Sequence, residues 1–364
     1  MDKKKALIVG GYGTVGRVIS EILAKDERFG PVVIAGRNES RAKELAHRLQ
    51  VEWRTIDICD AKSISSALPN IGVIINCFSG PFTYTPLLLP EMSAKSGIHY
   101  MDVSGSYEYT ERFLQLNELA FKNNVTLITA LGANPGIPGI ALMSAKDDFE
   151  MLESGRIVFV LGARLDGISA SSLKELKHMF DVKPLIWRKP RWIKPSASSR
   201  KEYVGEPFER EVYLGVSVTR DLLSIPELVD MDELSFWSGS QNAGQGLVMI
   251  AGLKLGLTRS DQGAQLLLNV LKQMGKTKQS RSDALIKVEI TGMKQGIRQK
   301  RTMVMYCDEN YATALAPAIV YKQVVEKKIT RCGAFVPPEI VPAADFMDRL
   351  GKFAIHYSVA TVKC

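Results

Sequence analysis

Two patterns of apolar and polar positions divide the chain. In the first 135 residues, strand-like segments at 5–9, 32–35, 52–56, 73–77, 99–105 and 125–130, several of them short apolar runs, alternate with helix-like stretches such as 17–25 and 114–123. Short unbroken apolar runs mark strands buried on both faces, and helical patterns between them imply right-handed βαβ units in a parallel sheet. After Pro135 the regular alternation stops. Strands are expected at 156–162, near 185–187, at 191–193 and at 209–214. A helix capped by Ser171 or Ser172 is expected to run to Phe180, and others cover 246–255, 261–274 and 311–327. Residues 284–290 alternate with period two, Gln295-Gly296 makes a turn, and 301–306 completes a predicted antiparallel hairpin. The pattern predicts a parallel α/β domain over residues 1–135 and an α+β domain over 136–330. A tail, 331–364, is expected to return to the first domain.

The first strand runs into Gly11-Tyr12-Gly13-Thr14-Val15-Gly16, and a helical pattern follows. Strand, glycine turn and helix in that order place a pyrophosphate on backbone N–H groups at a helix N-terminus. Gly11 is expected to make the sharp turn, Gly13 to admit the phosphate, and Gly16 to let the helix pack against the strand. The second strand ends in Gly36-Arg37-Asn38. A site for NAD usually places an acid there to bind the ribose hydroxyls. Arg37 is instead a permanent cation whose planar fork suits a phosphate. The expected cofactor is therefore NADP(H), with Arg37 on its 2′-phosphate; the alternative is a solvated loop arginine.

Later strand ends supply further candidates. Asp57 either borders the adenine or caps its own loop, and Asp60 is expected to cap a helix. The fourth strand leads into Cys77-Phe78-Ser79-Gly80, the expected wall beside the nicotinamide. The fifth ends at Asp102, which either serves as acid–base group or caps the loop through Ser104. The sixth leads to Asn134, a candidate contact to cofactor or substrate. His178 is a second candidate general acid. Arg164, Arg188 and Arg220 are candidates to clamp a substrate carboxylate by bidentate pairing.

Composition narrows the setting. The 364 residues are 46% hydrophobic, and no window reaches the roughly 18 uncharged apolar residues of a membrane span. Residues 1–5 are basic but lack the apolar core of a secretory signal. Five scattered cysteines and four histidines argue against a disulfide framework or zinc site and for a reducing cytoplasm. No metal is expected. The net charge of +8 is spread along the chain, so nucleic acid is not the expected partner, and a small anionic substrate is.

The ordered motifs resemble the saccharopine dehydrogenase-like NADP-dependent oxidoreductases over nearly the whole chain. Residues 10–17, 35–37, 76–82, 100–105 and 132–139 carry the resemblance, with the Pro337-Pro338-Glu339 tail. It implies a Rossmann doubly wound parallel sheet, completed by the tail, and a second α+β domain built on a mixed sheet that mediates a homodimer. It also implies hydride transfer to or from the carbon of an imine or secondary amine of an amino-acid-derived substrate. The central region, 166–204, matches poorly characterised branches better than the lysine-pathway enzymes. Two other functions fit the same residues: a non-catalytic NADP(H)-binding redox sensor, and a reductase of an enoyl-type substrate.

Overall fold

The computed structural model describes residues 4–26, 29–78, 86–162, 165, 182–208, 211–276, 283–353 and 355–364. The helix expected to end at Phe180, together with His178, Arg164, Ser79 and Gly80, lies outside these residues. The chain divides into two compact units. The first comprises Met1–Ile137 and Asn310–Pro342, the second Pro138–Glu309 and Ala343–Cys364.

The first unit opens with β1 (Lys5–Val9), α1 (Thr14–Ala24), β2 (Val32–Gly36), α2 (Glu39–Leu49), β3 (Glu52–Thr55) and α3 (Ala61–Ala67). It continues with β4 (Ile71–Asn76), α4 (Leu88–Lys95), β5 (His99–Asp102), α5 (Tyr107–Leu114), α6 (Asn117–Lys122) and β6 (Thr126–Ile128). Helix signals act where expected: Asp60 caps α3 by accepting from Lys62 N–H, and Asn38 caps α2 by accepting from Arg41 N–H. The single helix expected over 114–123 is two, α5 and α6, which break at residues 115–116. Every position of β2 is buried, whereas β3 is partly exposed, as its place at the sheet edge requires. Leu7, Val33, Ile74, Tyr100, Tyr109 and Phe113 share one core. Each buried aliphatic side chain there contributes roughly 1.5–3 kcal/mol over leaving it in water.

In the second unit α7 (Ile137–Met143) precedes β7 (Met151–Leu161). Then follow β8 (Ile186–Arg188), β9 (Arg191–Ile193), β10 (Ser199–Glu202), β11 (Val212–Ser217) and β12 (Glu233–Ser240). The hairpin is β13 (Asp283–Lys294) and β14 (Ile297–Asp308). Its Gln295 and Gly296 have φ of 51° and 70°, the left-handed pair that a two-residue hairpin loop needs to match strand twist. β7 pairs parallel to β12 and antiparallel to β13, so the sheet is mixed. On one face Arg156 holds Glu202 through both guanidinium ends (2.9 and 2.6 Å) and Glu289 at 2.8 Å.

Two expected boundaries change. The helix Glu309–Val325, expected in the second domain, belongs to the first unit from Asn310 onward. Its buried Tyr321 donates to the Phe29 carbonyl, and Lys322 pairs with Asp26 at 3.2 Å. It is apolar on nearly every side, so periodicity gave no face from which to assign its partner. The expected tail 331–364 divides. β15 (Gly333–Phe335) adds in parallel to β6 and completes the strand order β15-β6-β5-β4-β1-β2-β3. From Ala343 the chain joins the second unit, where β16 (His356–Lys363) pairs antiparallel with β14 over eight residue pairs. Among the described residues, no strand covers the outer edge of β16, and no helix is long and apolar enough to cross a membrane.

Candidate nucleotide-binding site

The first sheet reverses direction at β1, whose neighbours are β4 and β2. In an open parallel sheet the crevice at such a reversal, at the carboxyl ends of the strands, is where ligands bind. The sharp turn out of β1 is made by Gly10, with φ of 73°, and not by Gly11 as expected. A Cβ on Gly10 would lie 3.1 Å from the Cys77 carbonyl oxygen at the end of β4. One on Gly16 would lie 2.2 Å from the Gly10 carbonyl oxygen. Glycine is therefore required twice: once for backbone conformation, once for close approach of α1 to the loop. Gly13 is the N-cap of α1, extended and without a side-chain cap. Thr14 and Val15 open the helix, so the N–H groups of its first turn are left for an anion.

The Tyr12 ring reaches across to β2 and lies where a side chain on Gly36 would stand. Its hydroxyl accepts from Asn38 N–H at 2.9 Å. Arg41 stacks over the ring, its guanidinium carbon 4.8 Å from the centroid, and donates to the Tyr12 carbonyl at 3.4 Å. Tyr12 thereby ties the glycine loop to the turn that carries Arg37, and Arg37 is exposed. Arg41 was not among the expected site residues. The available signal was a second arginine one helical turn past Arg37. Asp57 accepts from Cys59 N–H at 2.9 Å and so caps its own turn.

Past β4 and β5 the groups are buried. Cys77 N–H donates to the Val9 carbonyl at 2.8 Å. Burial, and next the charge of Asp102, push the Cys77 thiol up, so it is not a thiolate at neutral pH. Asp102 is fully buried. Its Oδ1 accepts from Ser104 N–H (3.1 Å) and the Thr129 hydroxyl (2.7 Å), and its Oδ2 from the Tyr109 hydroxyl (3.1 Å). Burial pushes its pKa up to about 6 against these donors. Loop capping through Ser104 is thus present, but within a larger network that leaves the carboxylate no free face. The Nδ2 of Asn134, in the turn before α7, is buried and has no partner among the described residues, so it is a donor available to a ligand. Arg188 lies in the second unit on β8, 58% exposed, with Glu233 at 3.7 Å. Glu309, at the start of the helix Glu309–Val325, was not expected; burial and then the charge of Asp308 push its carboxyl up to about 7.

A phosphate cradle at a sheet reversal, with Arg37 at the second strand end, defines an NAD(P)-binding Rossmann domain. Residues 6–128 match the sequence model of the saccharopine dehydrogenase NADP binding domain. The fold is shared with apo histidine-tagged saccharopine dehydrogenase (L-Glu forming) from Saccharomyces cerevisiae. That match has 15% identity and a TM-score of 0.71, over 99% of this chain and 100% of that one. The homospermidine synthase from Legionella pneumophila in complex with NAD is similar at 13% identity and TM-score 0.62, over 99% of this chain and 92% of that one.

The Asp102 network has a pH signature. Its folded pKa of about 6 lies above the ordinary 3.8, so between those values the folded protein holds a proton that the unfolded chain has released. This group's contribution to stability is therefore greatest at low pH and is lost as pH rises through about 6. Asp102→Asn removes that titration. In thermal melts at pH 4–8, the variant's Tm relative to wild type is expected to rise between pH 4 and 7 and then level off. A constant difference would exclude the upward shift.

Proposed function

We propose that the protein is an NADP(H)-dependent oxidoreductase that transfers a hydride to or from the carbon of an imine or secondary amine in an amino-acid-derived, carboxylate-bearing substrate. The carrying observation is the cradle itself: an uncapped α1 N-terminus, glycines that a Cβ could not replace, and exposed Arg37 where an NAD site has an acid. These residues fit NADP(H). Backbone N–H groups of Thr14 and Val15, in the first turn of α1, would hold the pyrophosphate. Arg37 would hold the 2′-phosphate, with Arg41 beside it stacked on Tyr12. Cys77 and Phe78 would wall off water from the reacting end. When bound, the nicotinamide supplies or accepts the hydride. In the reducing direction the imine carbon gains that hydride and the nitrogen gains a proton, leaving an amine. The match of residues 6–128 to the saccharopine dehydrogenase NADP binding domain supports the substrate class, and the net charge of +8 suits an anionic substrate.

The 2′-phosphate role predicts that Arg37→Ala weakens NADPH binding by more than about tenfold and leaves NADH nearly unchanged in fluorescence titrations. Equal loss for both would remove the assignment. The reaction is tested by following absorbance at 340 nm with saccharopine, lysine, polyamine precursors and pairs of amino acid and keto acid. Turnover by one of these is the expected result. NADPH binding with no turnover across the panel favours the redox-sensor function.

The exposed edge of β16 also supports the expected homodimer. Val359 and Val362 are 43% and 57% exposed on a strand whose outer backbone groups are unpaired among the described residues. We propose that two copies join along this edge. Sedimentation is expected to show a dimer for the wild type and a monomer for Val359→Asp combined with Val362→Lys; a monomeric wild type would overturn it.

A further inference from the structure

We propose that Asn76 is a positioning residue for the nicotinamide end of the cofactor, held in place by a buried relay through Tyr100 and Tyr109 that is anchored on Asp102. This rests on the NADP(H) reading above.

Asn76 is the last residue of β4 and is 1% exposed. Its side chain forks. Nδ2 donates to the Tyr100 hydroxyl at 3.0 Å, and Oδ1 accepts from Phe78 N–H at 3.1 Å. Cys77 is still held to β1 through its N–H, but Phe78, the second residue past the strand, is held by the Asn76 side chain. The Tyr100 and Tyr109 hydroxyls lie 3.4 Å apart, and Tyr109 donates to Asp102. All four residues are in the first unit.

The carboxylate gives this relay a direction. An ionised Asp102 only accepts, so the Tyr109 hydroxyl must donate to it. The Tyr109 oxygen is then the acceptor for Tyr100 O–H. The Tyr100 oxygen in turn accepts from Asn76, which turns the amide nitrogen towards Tyr100 and its oxygen towards Phe78 N–H. Phe78 N–H at one end and the buried charge at the other thus require the same orientation of the amide, so the relay reinforces it.

What it fixes is the place where the β4 end meets the phosphate loop. The Cys77 carbonyl is the group nearest to the absent Cβ of Gly10, and Cys77 N–H is bonded to Val9. A change of direction at Phe78 would move the wall relative to the pyrophosphate cradle. Asp102 also bonds Ser104 N–H and Thr129, so the ends of β4, β5 and β6 are tied to one anchor. On this account Asp102 orders the site from beneath and does not touch the reacting atoms.

The test uses full-length Asn76→Ala and Tyr109→Phe, titrated with NADPH and with 2′-phospho-ADP-ribose, which lacks the nicotinamide. NADPH is expected to bind about tenfold more weakly to Asn76→Ala and a few-fold more weakly to Tyr109→Phe, while the fragment binds both as it binds wild type. Equal weakening for both ligands would mean a merely structural role and would overturn the proposal. So would unchanged NADPH binding in both variants. If Asn76→Ala does not fold, Tyr109→Phe carries the test, because it removes one hydroxyl and keeps the ring. A wild-type protein that binds neither ligand would instead overturn the cofactor reading on which the proposal stands.

Discussion

The first unit depends on backbone meeting backbone where β1, β4 and α1 converge. The Gly10 turn touches the Cys77 carbonyl, and the Gly16 Cα side faces the Gly10 carbonyl at a distance that admits no carbon. Any side chain there pushes the helix off the sheet or the loop off β4. With both gaps closed, the first-turn N–H groups of α1 stand at the crevice where the sheet reverses. The phosphate cradle is thus a by-product of packing, and no side chain has to form it.

Beside this lies a different constraint, a charge in the core. Isolated, the Asp102 carboxylate would be expelled or protonated. Donors from Ser104, Thr129 and Tyr109 keep it in place, and burial still wins by enough to raise its pKa to about 6. Such a network is intolerant of partial loss, since each member satisfies the next. Burial, and next the charge of Asp102, lift the pKa values of Cys77, Tyr100 and Tyr109, which makes these groups hydrogen-bonding or packing elements and not reactive ones.

Much of the fold was legible because the relevant signals are local. The buried strands β1, β2 and β4 read as unbroken apolar runs. Asp60 caps the helix it precedes, and Gln295-Gly296 turns the hairpin. Gly13 and Gly16 stand where the motif puts them. The turn glycine was displaced by one, because a stretch of two glycines does not say which of them takes positive φ; contact with β4 selects Gly10. Arg41 was passed over because its importance comes from stacking on Tyr12, a residue 29 positions away.

By itself, the sequence determined the strand-turn-helix that can hold a pyrophosphate, the cation at the second strand end, and the two textures of the chain. These follow from propensity, periodicity and the steric needs of single residues. Only the tertiary structure decided that the helix Glu309–Val325 completes the first unit, that the last strand joins the second, and that Asn76, Tyr100, Tyr109, Asp102 and Thr129 form one network. A helix apolar on all sides names no partner, and an edge strand pairs with whichever edge is open. A hydrogen-bond relay drawn from three strands and a helix has no linear pattern, because its members are brought together by sheet order.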